Sequence, residues 1–309
     1  MKKVTVVGSL NIDHVLKVEK LPLKGETIIS NNYNLYEGGK GSNQAASIGR
    51  LGISVDMIGK VGKDIYGERL IKNLSKSNVN VSGIIIDDTV STGATFITVD
   101  KNGNNTIVIN PGANGKLTIN DIESQKNKII SKDIILLQQE IPKDVISHVV
   151  NISKHYNKNI ILNFAPAIDT SNDTLSKVDY LILNEIEIAQ LTGVTAISKN
   201  INKAIKKLRN YYSNNIIITL GENGSIYIVN NDKIIKVPSY DVKSVDSTGA
   251  GDAFIGGFVL GLIEGRNIKE CVMWGNAAGS ITTTKLGAQS SFPDKEELFF
   301  FLKSKNINN

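Results

Sequence analysis

What most constrains this chain is a series of short, wholly apolar runs rich in β-branched residues, with longer amphipathic stretches between them. The runs are VTVVG from Val4, IILLQQE from Ile134, IILNFAP from Ile160, YLILNE from Tyr180 and IIITLG from Ile216. A strand that is apolar on both faces belongs inside a sheet covered on both sides. The stretches 66–76, 143–155, 185–191 and 201–211 read as the covering helices. Strand, helix, strand in this order predicts an α/β fold of three layers around a parallel sheet. The runs end in small or polar residues: Gly8-Ser9, Glu140, Asn163, Asn184 and Gly221. Ligands in open α/β sheets bind beyond the carboxyl ends of the strands, so these residues are expected on one rim.

Two regions depart from that rhythm. Residues 12–36 and 92–110 alternate like solvent-facing strands, and DKNGNN around Asn102 is a hairpin signal. They are too short to form a second domain. The expectation is one domain over 1–309, with a small antiparallel β lid formed by about 12–41 and 92–112. Such a lid excludes water from a reacting phosphate. Its flat face needs cover, which suits a homodimer paired through the lid.

Composition narrows the setting. At 309 residues and 41% hydrophobic, the chain can bury a large core. The net charge of +5 is spread along the chain with no basic run interleaved with aromatics, which argues against nucleic acid. Cys271 is the one cysteine, so a disulfide within the chain is excluded and a reducing cytoplasm fits. His14, His148 and His155 lack metal-ligand spacing. No run is long enough for a membrane span, and the apolar start is too short for a signal peptide.

The chemistry concentrates in a few motifs. In DSTGAGDAFIGGF, from Asp246 to Phe258, the small residues Gly249, Ala250 and Gly251 leave backbone N–H groups uncovered where a helix should begin. Free N–H groups at the positive end of a helix make an anion site. A carboxylate at its edge, Asp252, is either an N-cap or a group that takes a proton from whatever attacks the phosphate. EGGKGSNQAASIGRLG, from Glu37 to Gly52, is a glycine loop (Gly38, Gly39, Gly41) entering a helix near Ser42. It lacks the Lys-Ser/Thr pair of a P-loop and the context of a dinucleotide fingerprint. It offers close backbone approach, with Lys40 and Asn43 as polar handles; alone, it reads equally as a turn. In GSLNID, alternation sets Asn11 and Asp13 on one face, which suits vicinal hydroxyls. Glu140 could accept a further hydroxyl. Asn184 and Glu187 form an N-x-x-E pair at a strand–helix junction, either a helix cap or a holder of metal-bound water and phosphate. TLGENG, from Thr219 to Gly224, is a turn that could wall a nucleotide, and KLGAQSS, from Lys285 to Ser291, is rich in loop carbonyls and hydroxyls.

In order and spacing these motifs resemble the PfkB family of carbohydrate kinases, essentially end to end. GGKGSNQAASIG and DSTGAGD are the two regions by which that family is known, and N-x-x-E stands between them. NID at Asn11 to Asp13, GGKGSN, QQE ending in Glu140, TLGENG and KLGAQSS point, within it, to members that act on ribose. The resemblance implies a ribokinase-like fold and ATP-dependent phosphorylation of D-ribose at its 5-hydroxyl, with deoxyribose, fructose or a nucleoside as the alternative acceptor. It implies that Asp252 is the base and that Gly249, Ala250 and Gly251 form the anion hole. Asn11, Ile12, Asp13, Gly39, Lys40, Gly41, Asn43 and Glu140 would hold the sugar. Asn184, the turn of Thr219, Leu220, Gly221, Glu222, Asn223, Gly224 and Ser225, then Gly251 and Asn276 would line the ATP site. Glu187 would organise water on Mg²⁺. A monovalent cation, usually K⁺, would sit among Asp246, Thr248, Thr282, Lys285, Gly287 and Ser291. Two positions depart from the pattern: Phe164 stands where Pro is frequent, and Thr95 where a small apolar residue is common. Phosphoryl transfer asks mainly for positioning, charge neutralisation and a base near the acceptor oxygen, which these residue types can supply.

Overall fold

The computed structural model describes residues 3–229 and 233–305. Its strands are β1 (Val4–Val7), β2 (Asn11–Lys17), β3 (Asn32–Gly38), β4 (Val55–Gly62), β5 (Val79–Asp87), β6 (Gly93–Val99), β7 (Asn105–Asn110), β8 (Ile134–Leu137), β9 (Asn159–Asn163), β10 (Tyr180–Asn184), β11 (Asn215–Thr219), β12 (Ser225–Ile228) and β13 (Ile234–Val237). Nine of them form the main sheet in the order β13-β12-β11-β10-β9-β8-β1-β4-β5. From β5 to β11 all neighbours are parallel; β12 and β13 extend the edge antiparallel.

The five apolar runs lie in this sheet, and the reason is visible side chain by side chain. Val4, Val6, Ile134, Leu136, Ile161, Ile182 and Ile217 face one core. Val7, Ile135, Leu137, Ile160, Leu162, Leu181, Leu183, Ile216 and Ile218 face the other. Alternation sends successive side chains to opposite faces, and both faces are covered by helices. One layer holds the helices Lys40–Arg50, Ala250–Ile263 and Ile268–Thr283; the other holds Lys143–His155, Glu185–Thr192 and Ile197–Leu208. Helices Ala250–Ile263 and Ile268–Thr283 pack so closely that a Cβ on Gly257 would lie 2.4 Å from the Trp274 carbonyl oxygen.

The sequence reading did not anticipate β4 and β5. In β4 the run VDMIGKVG carries Asp56 and Lys60, both buried, which interrupts the apolar signal. Both are paired: Lys132 Nζ lies 2.9 Å from Asp56, and Lys60 Nζ lies 2.9 Å from Asp121. Pairing is what makes burial of such charges tolerable.

The second sheet, in the order β3-β2-β6-β7, is the expected lid. Its two hairpins, β2–β3 and β6–β7, are antiparallel and join through a parallel pair, β2–β6. The DKNGNN turn closes the second hairpin, with Gly103 at φ 84° and Asp100 N–H on the Asn104 carbonyl. Phe96, Ile107, Val108 and Ile109 are exposed on it. Among the described residues no helix is long and apolar enough to cross a membrane.

Candidate active site

The sheet order turns at β1, which has β4 and β5 on one side and β8 onward on the other. Such a switch point leaves a crevice beyond the carboxyl ends of the strands. The GGKG loop closes against the end of β1. A Cβ on Gly41 would lie 2.5 Å from the Ser9 nitrogen, so this glycine serves close approach. The helix Lys40–Arg50 starts there, its entry held by the Ser42 hydroxyl on the Gly38 carbonyl at 2.6 Å.

The residues assigned to sugar gather on this side. Glu140 Oε2 accepts the Ser9 hydroxyl at 2.5 Å and the Lys40 backbone N–H at 2.9 Å, so Glu140 is locked by β1 and the loop together. Asn114 Nδ2 donates to Asn11 Oδ1 at 2.7 Å, which fixes the Asn11 amide. Asp13 pairs across β2–β6 with Thr95, and Gly38 leaves the room its carboxylate needs. Burial pushes Asp13 from 3.8 to about 6; the Thr95 hydroxyl opposes this, while the charges of Glu140 and Asp252 add to it. Ile12 does not belong with them. It is fully buried, and alternation turns its side chain away from Asn11 and Asp13.

Asp252 stands at the first turn of the helix Ala250–Ile263, behind Gly249 at φ 78°. Its carboxylate is buried and accepts Asn43 Nδ2 at 3.0 Å and Gln44 Nε2 at 2.9 Å. It accepts no hydrogen bond from its own helix start, which has no side-chain cap, so the N-cap reading of Asp252 fails. Burial raises its pKa above the ordinary carboxylate value, with Lys40, Gln44 and Asn43 pulling it down and Glu140 adding to the rise. Burial works against the Lys40 ammonium too, yet Asp252, Glu140 and Glu187 outweigh it and hold its pKa high. A narrow cavity of about 140 Å³ joins Lys40, Asn184, Glu187, Gly249, Gly251 and Asp252. Lys40 thus meets the sugar side with its backbone and this junction with its side chain.

Beyond the junction lies a cleft of about 780 Å³. Thr219, Gly221, Glu222, Asn223, Gly224, Ser225, Gly251 and Asn276, eight of the residues assigned to the nucleotide, line it together, with Ala250 beside them. Leu220 does not; its side chain packs towards the core. The Asn276 amide is spent on the wall, accepting the Ser225 hydroxyl at 2.6 Å and donating to the Pro238 carbonyl at 3.0 Å. Tyr240, Val242 and Phe254 add apolar lining that the sequence reading missed. Asn184 is the cap of its helix: it accepts the N–H groups of Ile186 and Glu187, and Glu187 reaches back to the Asn184 N–H at 2.8 Å. Glu187 is nonetheless at the cavity wall, its pKa raised by burial.

The two segments assigned to a monovalent cation are stitched together. Asp246 accepts the Thr248 N–H at 2.9 Å on one oxygen and the Gly287 N–H at 2.9 Å on the other. Burial opposes ionisation of Asp246, but these bonds and the Thr248 hydroxyl outweigh it and lower its pKa. The Lys285 ammonium points away to Glu297 at 2.6 Å, so only its backbone faces the loop. The Thr282 carbonyl accepts the Lys285 N–H, and the Ser291 hydroxyl is buried on the Ala288 carbonyl. Ser9, Gln44, Asn114, Gln138 and Gln289 went unread as site residues. Their signal was position: each lies within or beside a motif already noted, except Asn114, which follows the lid.

The comparisons with known proteins agree with this geometry. Residues 1–295 match the profile described as pfkB family carbohydrate kinase. A bifunctional ribokinase/ribose-5-phosphate isomerase A of Fructilactobacillus sanfranciscensis is 36% identical over 303 residues, 96% of this chain but 56% of that longer protein. A ribokinase of Haemophilus influenzae is 35% identical over 303 residues, covering 98% of this chain and 99% of its own. The solved structure of Arabidopsis thaliana ribokinase complexed with ribose and ATP superposes with a TM-score of 0.88 at 30% identity, over 98% of this chain and 99% of that one. A family match over nearly the whole length and relatives above 30% identity lead to one conclusion: the chain belongs to the pfkB family of carbohydrate kinases.

Proposed function

We propose that this kinase transfers the γ-phosphoryl group of ATP to the 5-hydroxyl of D-ribose, giving ribose 5-phosphate and ADP. The observation that carries the reading is Asp252: a buried carboxylate at the junction between a polar, hydroxyl-binding crevice and a nucleotide-sized cleft, beside an open helix start. The names of the relatives support the substrates. In the fused relative the second activity is an isomerase of ribose 5-phosphate, the product this reaction would yield.

In this reading Asn11, Asp13, Asn43 and Glu140 hold the sugar hydroxyls, and Asp252 takes the proton of the 5-hydroxyl as its oxygen attacks the γ-phosphorus. The Lys40 ammonium and the N–H groups of Gly249 and Gly251 receive the charge of the transferred group, while the Ala250 N–H, expected with them, is turned to the Ser247 carbonyl at 3.2 Å. ADP leaves through the larger cleft. The lid closes over the sugar and keeps water from competing for the phosphoryl group.

Among the described residues no cluster of three or more His, Cys, Asp and Glu has the spacing of a metal site. Mg²⁺ keeps much of its water and is held by substrate phosphates with one or two carboxylates, so it does not depend on such a cluster. Glu187, at the wall of the cavity that holds Gly249, Gly251 and Asp252, fits as the carboxylate that orients such water, since a cation there would offset the burial that opposes its ionisation. When bound, the ion neutralises phosphate charge. For K⁺, the ionised Asp246, which joins Thr248 to Gly287, fits as the carboxylate that would hold such a cation. We assign the enzyme to the cytoplasm, as one domain over 1–309, and to a homodimer in which exposed Phe96, Ile107, Val108 and Ile109 of one lid meet those of another.

The test is a coupled assay of ADP release over ribose, deoxyribose, fructose and adenosine. Ribose should give the highest kcat/KM; a higher value for any other acceptor would reassign the substrate.

A further inference from the structure

Each oxygen of the Asp252 carboxylate accepts one side-chain amide, and each of those amides is held by another. Gln138 Nε2 donates to Gln44 Oε1 at 2.6 Å, and Gln44 Nε2 donates to Asp252 Oδ1 at 2.9 Å. On the other side, Asn73 Nδ2 donates to Gln289 Oε1 at 2.6 Å, Gln289 Nε2 to Asn43 Oδ1 at 2.9 Å, and Asn43 Nδ2 to Asp252 Oδ2 at 3.0 Å. All five amides run in one direction, and both chains end on the same carboxylate.

Cross-contacts set that direction. Gln44 Nε2 also donates to Asn163 Oδ1 at 3.0 Å, and Asn163 turns its own Nδ2 to the Ile182 carbonyl. A flipped Gln44 would face two oxygens with its own. Gln289 Nε2 also donates to the Ser42 hydroxyl at 2.9 Å. Among the described residues the buried Gln138 Oε1 has no hydrogen-bond partner. Buried amides ordinarily satisfy both ends, so an oxygen left unused while the Nε2 end stays on Gln44 marks a polarity that the site keeps at a cost. Chained amides also polarise one another, which strengthens the last bond, the one to the carboxylate.

We propose that Gln44 and Gln289 are positioning residues for the phosphoryl transfer. Through the two converging amide chains they hold the Asp252 rotamer that faces the sugar and favour its ionised form. This rests on Asp252 being the base. The other charged groups that face Asp252 are Lys40, Glu140, Glu187 and Asp13, and none of them makes a hydrogen bond to it. Gln289 lies in the same loop as Gly287, so the segment gripped by Asp246 also reaches the base, by way of Asn43.

The test is the pH profile of wild type, Gln44→Leu, Gln44→Glu and Gln289→Leu with ribose and ATP. Both leucine variants should raise the midpoint of the acid limb of kcat/KM for ribose by about one pH unit. They should lower kcat by ~10-fold or more while KM for ATP stays within about twofold. Gln44→Glu, of the same shape, should move the limb further, because its carboxylate would face Asp252. If Gln44→Leu fails to fold, Gln44→Glu and Gln289→Leu still decide the matter. An acid limb that stays in place, or a fall in kcat matched by a rise in KM for ATP, would reduce these residues to packing and overturn the proposal. A wild type inactive on ribose would instead overturn the substrate assignment.

Discussion

Asn43 Nδ2 lies 3.0 Å from Asp252 Oδ2, so a residue assigned to the sugar also touches the base. In the proposed mechanism, binding and chemistry share that hydrogen bond. Asn43→Ala should therefore raise KM for ribose and lower kcat together, leaving KM for ATP nearly unchanged. A buried polar group that loses its partner costs about 1–3 kcal/mol, which sets the loss in kcat/KM. Steady-state kinetics in both substrates checks this, and an equal rise in both KM values would move Asn43 to the nucleotide side.

Asp252→Asn keeps the shape of the side chain but removes the proton acceptor. A positioned base contributes roughly 10²–10⁴-fold, so kcat should fall within that range while calorimetry shows ATP still binding. A loss below about tenfold would mean that the 5-hydroxyl gives up its proton elsewhere.

Asp13 ties function to a stability cost. Its pKa is raised from 3.8 to about 6 in the fold. The folded state thus binds the proton more tightly than the unfolded chain. The contribution to stability is present at low pH and is lost as pH rises through about 6. At neutral pH the buried carboxylate should cost on the order of 1–3 kcal/mol. Without sugar, Asp13→Asn should be more stable than wild type near neutral pH, with the gap closing towards about pH 4. Its KM for ribose should rise. Urea melts at both pH values measure the gap, and a pH-independent difference would contradict the assignment.

Much of this was legible in the sequence, and the exceptions have physical reasons. The five apolar runs announced the sheet because they are apolar on both faces. The strand Val55–Gly62 escaped because the paired charges Asp56 and Lys60 break the pattern, and pairing across 76 positions, as between Lys132 and Asp56, leaves no local mark; Val79–Asp87 escaped because Asn80, Ser82 and Gly83 interrupt its apolar run. The open helix start behind Gly249 was readable, since small residues ahead of an apolar helix leave its first N–H groups uncovered. Gln138, Gln44 and Gln289 were not, because an amide reveals its role only through partners distant in sequence: 94 positions separate the first pair and 246 separate Gln289 from Asn43.

Gly251 separates ligand effects from folding effects. A Cβ added there meets nothing within 4 Å, whereas one on Gly249 would lie 2.9 Å from Phe292 at a φ of 78°. Gly251→Ala should keep the melting temperature within a few degrees, helped by the better helix propensity of Ala, of about 0.5–1 kcal/mol. It should still raise KM for ATP or lower kcat by ~10-fold or more, because the methyl group fills the space left for phosphate. Gly249→Ala should lose stability as well. An active, tightly binding Gly251→Ala enzyme would place the phosphates elsewhere.

The cation rests on electrostatics. Asp246 is held ionised by Thr248 and Gly287, and it joins the start of the DSTGAGD segment to the KLGAQSS loop. A large monovalent cation seated there would touch neither sugar nor ATP. It would stiffen the turn that carries Gly249, so its effect should fall on kcat more than on either KM. K⁺ should outperform Na⁺, because protein carbonyls must replace the hydration shell and a loose ring suits the larger ion. Asp246→Ala should abolish the dependence on cation and most of the activity, since it also frees the Gly287 N–H. The measurement is kcat at saturating Mg²⁺ in K⁺, Na⁺ and a bulky organic cation. Equal rates in all three would leave Asp246 as a carboxylate that only ties two loops together.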